Sequence, residues 1–141
     1  MARYLLDTNI LMFLMSSELD DISSDVKSLM EDYNNRLYVS SISVTELLQL
    51  YRIGKIKAKK YKTSTELQKA IEKDYFIEIL PFAKEHTKTL AGLRISKNHN
   101  DPFDHAIISH AITDKLILIS SVRKFEDYTA HKLNFVFNNR R

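Results

Sequence analysis

Apolar and polar positions along this chain fall into blocks, and the period changes from block to block. Residues 3–6, "RYLL", are a short apolar run suited to a buried strand, and 9–15, "NILMFLM", open a helix. Residues 18–35 set Ile22, Val26, Leu29, Met30 and Tyr33 at helical spacing and predict a helix. "RLYVSS", 36–41, reads as a strand. Residues 43–54 read as a helix with Val44, Leu47, Leu48 and Tyr51 on one face and Gly54 as its stop. A lysine-rich stretch leads into a helix over 63–74, and "YFIEILP", 75–81, is a strand closed by Pro81. Helices follow over 83–96 and 101–115, and strands over 116–121 and 133–138. Strands and helices alternate, which predicts an α/β fold: a parallel sheet with helices on both faces, in three layers.

Composition narrows this picture. The chain has 141 residues, 44% of them apolar, which suits a single domain over 1–141 with a real core. It has no cysteine, so disulfides and thiolate metal sites are excluded, and a reducing compartment is expected. The sequence has no uninterrupted apolar run of membrane-spanning length, and Asp7 interrupts what would otherwise resemble a leader. We therefore expect a cytoplasmic protein with no membrane partner. The net charge of +3 permits a nucleic-acid partner without demanding one.

The acids carry the candidate chemistry. In an open parallel sheet, sites form outside the carboxyl ends of the strands. Asp7 lies just past the first strand, Glu46 in the first turns after the second, and Asp101 and Asp104 open the helix before "LILISS". Each has a plain structural reading. Asp7 can cap a helix, Glu46 can be a solvated first-turn acid, and Asp101-Pro102 with Asp104 makes a good helix start. As a set they say more. Carboxylates brought together stay ionised only if a cation neutralises them, and an all-oxygen cluster favours Mg²⁺ or Mn²⁺ over zinc. Such an ion acidifies a bound water and clamps a phosphate for in-line displacement.

Four blocks carry a family resemblance: "LLDTNIL", "SISVTELLQLYRIGKI", "DPFDHAIISHA" and "LILISSVRKF". In this order and spacing they resemble the blocks of PIN-domain ribonucleases, above all VapC-like toxins of type II toxin–antitoxin systems. The resemblance implies four or five parallel strands in the order 3-2-1-4-5 and a Mg²⁺- or Mn²⁺-dependent endoribonuclease. It implies Asp7, Glu46 and Asp104 as catalytic metal ligands, with Asp101 as a helper. It also implies Thr8 and Asn9 as braces of the first acid, and Ser120 as a hydroxyl near the site. A VapB-like antitoxin and a homodimer are the implied partners. One position departs: Val122 stands where the family usually has a fourth acid. A weakened second metal site is expected, and Val122→Asp is expected to raise activity.

RNA needs cations beside such acids. Arg123 and Lys124 follow the fourth strand, and Lys55, Lys57 and their neighbours are a candidate phosphate rim with Tyr61 available to stack on a base. The five histidines show no compelling zinc pattern; His105 is the one expected to touch substrate. Met12, Met15, Leu50, Tyr51 and Ile53 exceed what one helix face needs and are candidates for an antitoxin groove or dimer seam. The tail Arg140-Arg141 is expected to be disordered. Two rival functions remain: a non-catalytic PIN-fold binder of RNA or antitoxin, and a DNA-directed nuclease of the same fold.

Overall fold

The apolar runs pair side by side in a computed structural model of the chain, which describes residues 1–140. Strands β1 (Arg3–Leu6), β2 (Arg36–Ser40), β3 (Glu78–Leu80), β4 (Ile117–Ser120) and β5 (Asn134–Phe137) form one sheet in the order β3-β2-β1-β4-β5, and every pair is parallel. In register, Leu6 lies beside Val39 on one side and Ile119 on the other. The central strands are covered on both faces, which is why they read as unbroken apolar runs. Tyr4, Leu6, Val39 and Ile119 pack into one cluster; Leu5, Tyr38 and Leu118 pack into the other.

The helices are α1 (Thr8–Met15), α2 (Ser24–Glu31), α3 (Ser41–Arg52), α4 (Ser64–Lys73), α5 (Lys84–Ala91) and α6 (Pro102–Asp114). Their starts follow from capping chemistry. Asp7 accepts from Thr8 N, Ser40 from Ile42 N, Thr63 from Glu66 N and Asp101 from Phe103 N. Gly54, just past α3, has φ +79°, a conformation other residues adopt at a cost. The first cluster takes Ile10, Leu11, Phe13 and Met15 of α1, Leu47 of α3 and Leu67 of α4; the second takes Ile107, Ile108 and Ala111 of α6.

Several predicted elements need correction. The helix over 18–35 is a 3-10 turn (Leu19–Asp21) followed by α2, with Ser23 extended between them. Buried Asn138, just past β5, causes the break: its Oδ1 accepts from Ser23 N at 2.7 Å and its Nδ2 donates to Asp21 O at 2.8 Å. The helix over 83–96 stops at Ala91, where Gly92 is its C-cap. The strand over 75–81 shrinks to three residues because Phe76 has φ +55°. A 3-10 segment, Arg123–His131, lies where no element was predicted. Arg140 is engaged rather than loose: it sits 3.6 Å from Asp21 and 4.9 Å from the centre of the Phe13 ring. Arg141 lies outside the described residues. Met15 belongs to the core, Met12, Leu50 and Tyr51 are half-buried against it, and Ile53 is exposed.

Candidate metal centre

The carboxyl ends of β1, β2 and β4 share one rim, and each delivers its polar residue there. β1 ends at Leu6, so Asp7 emerges from the centre of the sheet and is buried to 2% exposure. Three donors hold it. Thr8 N reaches Oδ1 at 2.8 Å, and Ser120 Oγ and Asn9 Nδ2 reach Oδ2 at 2.6 and 3.2 Å. Burial nevertheless pushes the Asp7 carboxyl up to about 7, Ser120 pulls it back, and the charges of Asp104 and Glu46 add to the rise.

Glu46 is half-buried in the second turn of α3, and burial raises it, with Asp101 contributing. Asp104, in the first turn of α6, is pushed up to about 7 by burial and then by Asp101 and Glu46. Asp101 is exposed and caps α6 through Phe103 N at 2.9 Å. The four predicted acids therefore meet, and their mutual repulsion is part of their chemistry. The Thr8 hydroxyl is buried beside Glu46, whose carboxyl it pulls back down, and Thr8 braces Asp7 through its backbone N–H. An oxygen-only set of mutually repelling acids fits a hard divalent cation that keeps some of its waters.

Val122 takes no part in this set. Its side chain is half-buried against the second cluster, and its N–H donates to Ser120 Oγ at 2.9 Å. It thereby helps to aim the hydroxyl that Asp7 uses.

The expected RNA contacts are more scattered. Arg123 lies 3.6 Å from Glu126 and 4.0 Å from the centre of the Phe137 ring. The Lys124 ammonium donates to Lys97 O. Lys55 and Lys57 are exposed and alternate with buried Ile56 and Ala58, but α3 carries the chain at least ~9 Å along its axis beyond Glu46 before reaching them. Tyr61 is not free to stack: it is buried, and its hydroxyl sits 3.2 Å from Asp74 Oδ2. His105 is also turned inward, with Nε2 at 2.7 Å from His99 O, and does not face the rim.

Sequence reasoning missed two histidine arrangements. His99 lies 2.9 Å from Asp104 Oδ2. His86, His110 and Asp114 bring ligand-type atoms within 4.8 Å of one another, and the four-residue step from His110 to Asp114 was the available signal. In this second group His86 and Asp114 are already hydrogen-bonded to one another, while His110 Nε2, 3.1 Å from Asp114 Oδ2, makes no well-aligned hydrogen bond. His86 Nδ1 accepts from Ala83 N at 2.8 Å, so Nε2 keeps its hydrogen and gives it to Asp114 Oδ1 at 3.0 Å. A metal would need the lone pair that this hydrogen occupies.

Residues 4–130 match the PIN domain family. The chain belongs to that family. PIN domains are generally nucleases. The resemblance read from the four blocks holds, as do the strand order and the α/β fold. Solved relatives extend the likeness across the chain. VapBC2 from Rickettsia felis, bound to a DNA fragment from their promoter, is 25% identical with a TM-score of 0.64, covering 97% of this chain and 99% of that one. VapBC-1 from nontypeable Haemophilus influenzae is 23% identical with a TM-score of 0.63, covering 96% and 97%. A toxin–antitoxin complex from Klebsiella pneumoniae is 24% identical with a TM-score of 0.62, covering 98% and 99%. Comparison with curated protein sequences finds no match. No helix among the described residues is long and apolar enough to cross a membrane.

Proposed function

We propose that this PIN domain is a VapC-like toxin, a cytoplasmic endoribonuclease that depends on Mg²⁺ or Mn²⁺. The observation that supports this reading best is the convergence of Asp7, Glu46 and Asp104 on one rim, with Asp7 and Asp104 both held up to about 7. Asp7, Glu46 and Asp104 would hold the ion, which when bound supplies Lewis acidity at a phosphodiester and makes water a better nucleophile. The chain's own residues prepare the place. Ser120 and Asn9 fix the Asp7 carboxylate, and α1 presents its N-terminus to the same charge. Asp101, exposed at the lip, adds negative charge without being buried. Arg123 and Lys124, just past β4, and the outlying Lys55 and Lys57 supply positive charge along the path of an RNA backbone.

The similarity to VapBC2 from Rickettsia felis supports a VapB-like antitoxin as partner, and we extend the proposal to a homodimer. The test is cleavage of labelled RNA, single-stranded DNA and flapped DNA with Mg²⁺, Mn²⁺ or EDTA. RNA cut only with metal is the expected result; EDTA-resistant cleavage overturns it. The position of Val122 favours one alternative, a PIN-fold binder that holds RNA or antitoxin without turnover. Binding without metal-dependent cleavage would select it, and preferential cutting of DNA would select a DNA-directed nuclease.

A further inference from the structure

His99 lies in the irregular stretch between α5 and α6, is 5% exposed, and has exposed asparagines on both sides. Its Nε2 is 2.9 Å from Asp104 Oδ2, and its Nδ1 is 2.8 Å from the Tyr128 hydroxyl. The proton positions follow from counting donors. Tyr128 is fully buried, and its oxygen already accepts from Ser96 N at 3.0 Å. The phenolic hydrogen therefore needs an acceptor, and among the described residues His99 Nδ1 is the one within reach. With Nδ1 accepting, the imidazole hydrogen sits on Nε2 and points at Asp104.

The ring is fixed from several sides. His105 Nε2 donates to His99 O at 2.7 Å, and the His105 and Tyr128 rings stand edge-on to it at 4.9 and 5.4 Å between centres. The 3-10 segment that carries Tyr128 also holds the rest of the loop: Ser96 Oγ donates to Asp127 Oδ2 at 2.6 Å, and Lys124 donates to Lys97 O.

We propose that Tyr128 and His99 are positioning residues for Asp104. Tyr128 selects the Nε2–H form of His99, and His99, by donating to Oδ2, fixes the orientation in which the Asp104 carboxylate is offered to a cation. The donor is neutral, so it orients the carboxylate without cancelling the charge the cation needs. This proposal rests on reading the acid rim as a cation site.

Two measurements on the full chain test it. Imidazole ¹⁵N NMR of the metal-free protein reads the tautomer directly. A protonated Nε2 with an accepting Nδ1 at His99 is expected, and loss of that preference in Tyr128→Phe. A His99 protonated on Nδ1 overturns the proposal whatever the rim binds. Mn²⁺ titration, followed by electron paramagnetic resonance, reads the consequence. His99→Phe is expected to weaken Mn²⁺ binding by about 10- to 100-fold, Tyr128→Phe by less, and His99→Gln, which keeps a donor, to recover much of the loss. Tyr128→Phe conserves volume and guards against a variant that merely misfolds. Unchanged Mn²⁺ affinity in all three variants, with the parent binding, overturns the positioning role. A parent that binds no Mn²⁺ overturns the cation site itself, and the NMR result then stands apart from it.

Discussion

Three hydrogen bonds do not offset the burial of Asp7. Its carboxyl still reaches about 7, so the unliganded site holds an acid poised between its two forms. Ser120 does most to restrain it. Ser120→Ala removes that donor, and we expect Mn²⁺ affinity to fall about tenfold by calorimetric titration. The same change leaves Val122 N–H without its acceptor, so urea unfolding should also show a loss of about 1–3 kcal/mol. Unaltered Mn²⁺ affinity in this variant would mean that Asp7 is not a ligand. Val122→Asp tests the opposite change. It puts a fifth carboxylate, two residues past Ser120, in place of half-buried valine, and metal-dependent RNA cleavage should rise. Cleavage no faster than in the parent would remove any catalytic meaning from the valine.

Among the elements, those with strong local signals were readable from the sequence. β1, β2 and β4 are apolar runs covered on both faces, and the caps at Asp7, Ser40 and Asp101 mark where helices begin. Long-range polar contacts set the rest, and sequence shows no period for them. Asn138 divides the stretch 18–35 from more than a hundred residues away, and Tyr128 orders the loop at His99 from thirty away. The acids could be placed because each falls at the end of a strand or the start of a helix. His99 could not, because Tyr128, which fixes its ring, belongs to a 3-10 segment whose spacing matches neither helix nor strand. Asn138→Ala should confirm the first of these contacts. It leaves Ser23 N–H and Asp21 C=O unpartnered, and the melting temperature should fall by an amount equivalent to about 1–3 kcal/mol. An unchanged melt would mean that the break after Asp21 is set locally.

For the whole molecule, two sets of buried groups pull stability in opposite directions. Without metal, Asp7 and Asp104 titrate at about 7 in the fold and at 3.8 in an open chain. Between those values the folded chain holds more protons, so stability falls as pH rises from about 4 to 7 and levels off above that. His110 faces Asp114, His86, Ser40 and Phe82, and burial, with His86, lowers it to about 4 from 6.5. There the unfolded chain holds more protons, so up to about 3 kcal/mol is lost as pH drops from 6.5 to 4. Two acids outweigh one histidine, so the metal-free melting temperature should fall between about pH 4 and 7, and Mn²⁺ should raise it on the alkaline side far more than on the acid side. Thermal melts from pH 4 to 9, with and without Mn²⁺, check both points; an equal Mn²⁺ effect at pH 5 and pH 8 contradicts them.

Asp7 and Ser120, which share the shortest bond at the rim, are separated by 113 residues. A nascent chain therefore has no rim to speak of until β4 has been made and has slotted in beside β1. If the folded protein cuts RNA, this ordering delays the hazard until the ribosome has passed the whole stretch from β1 to β4.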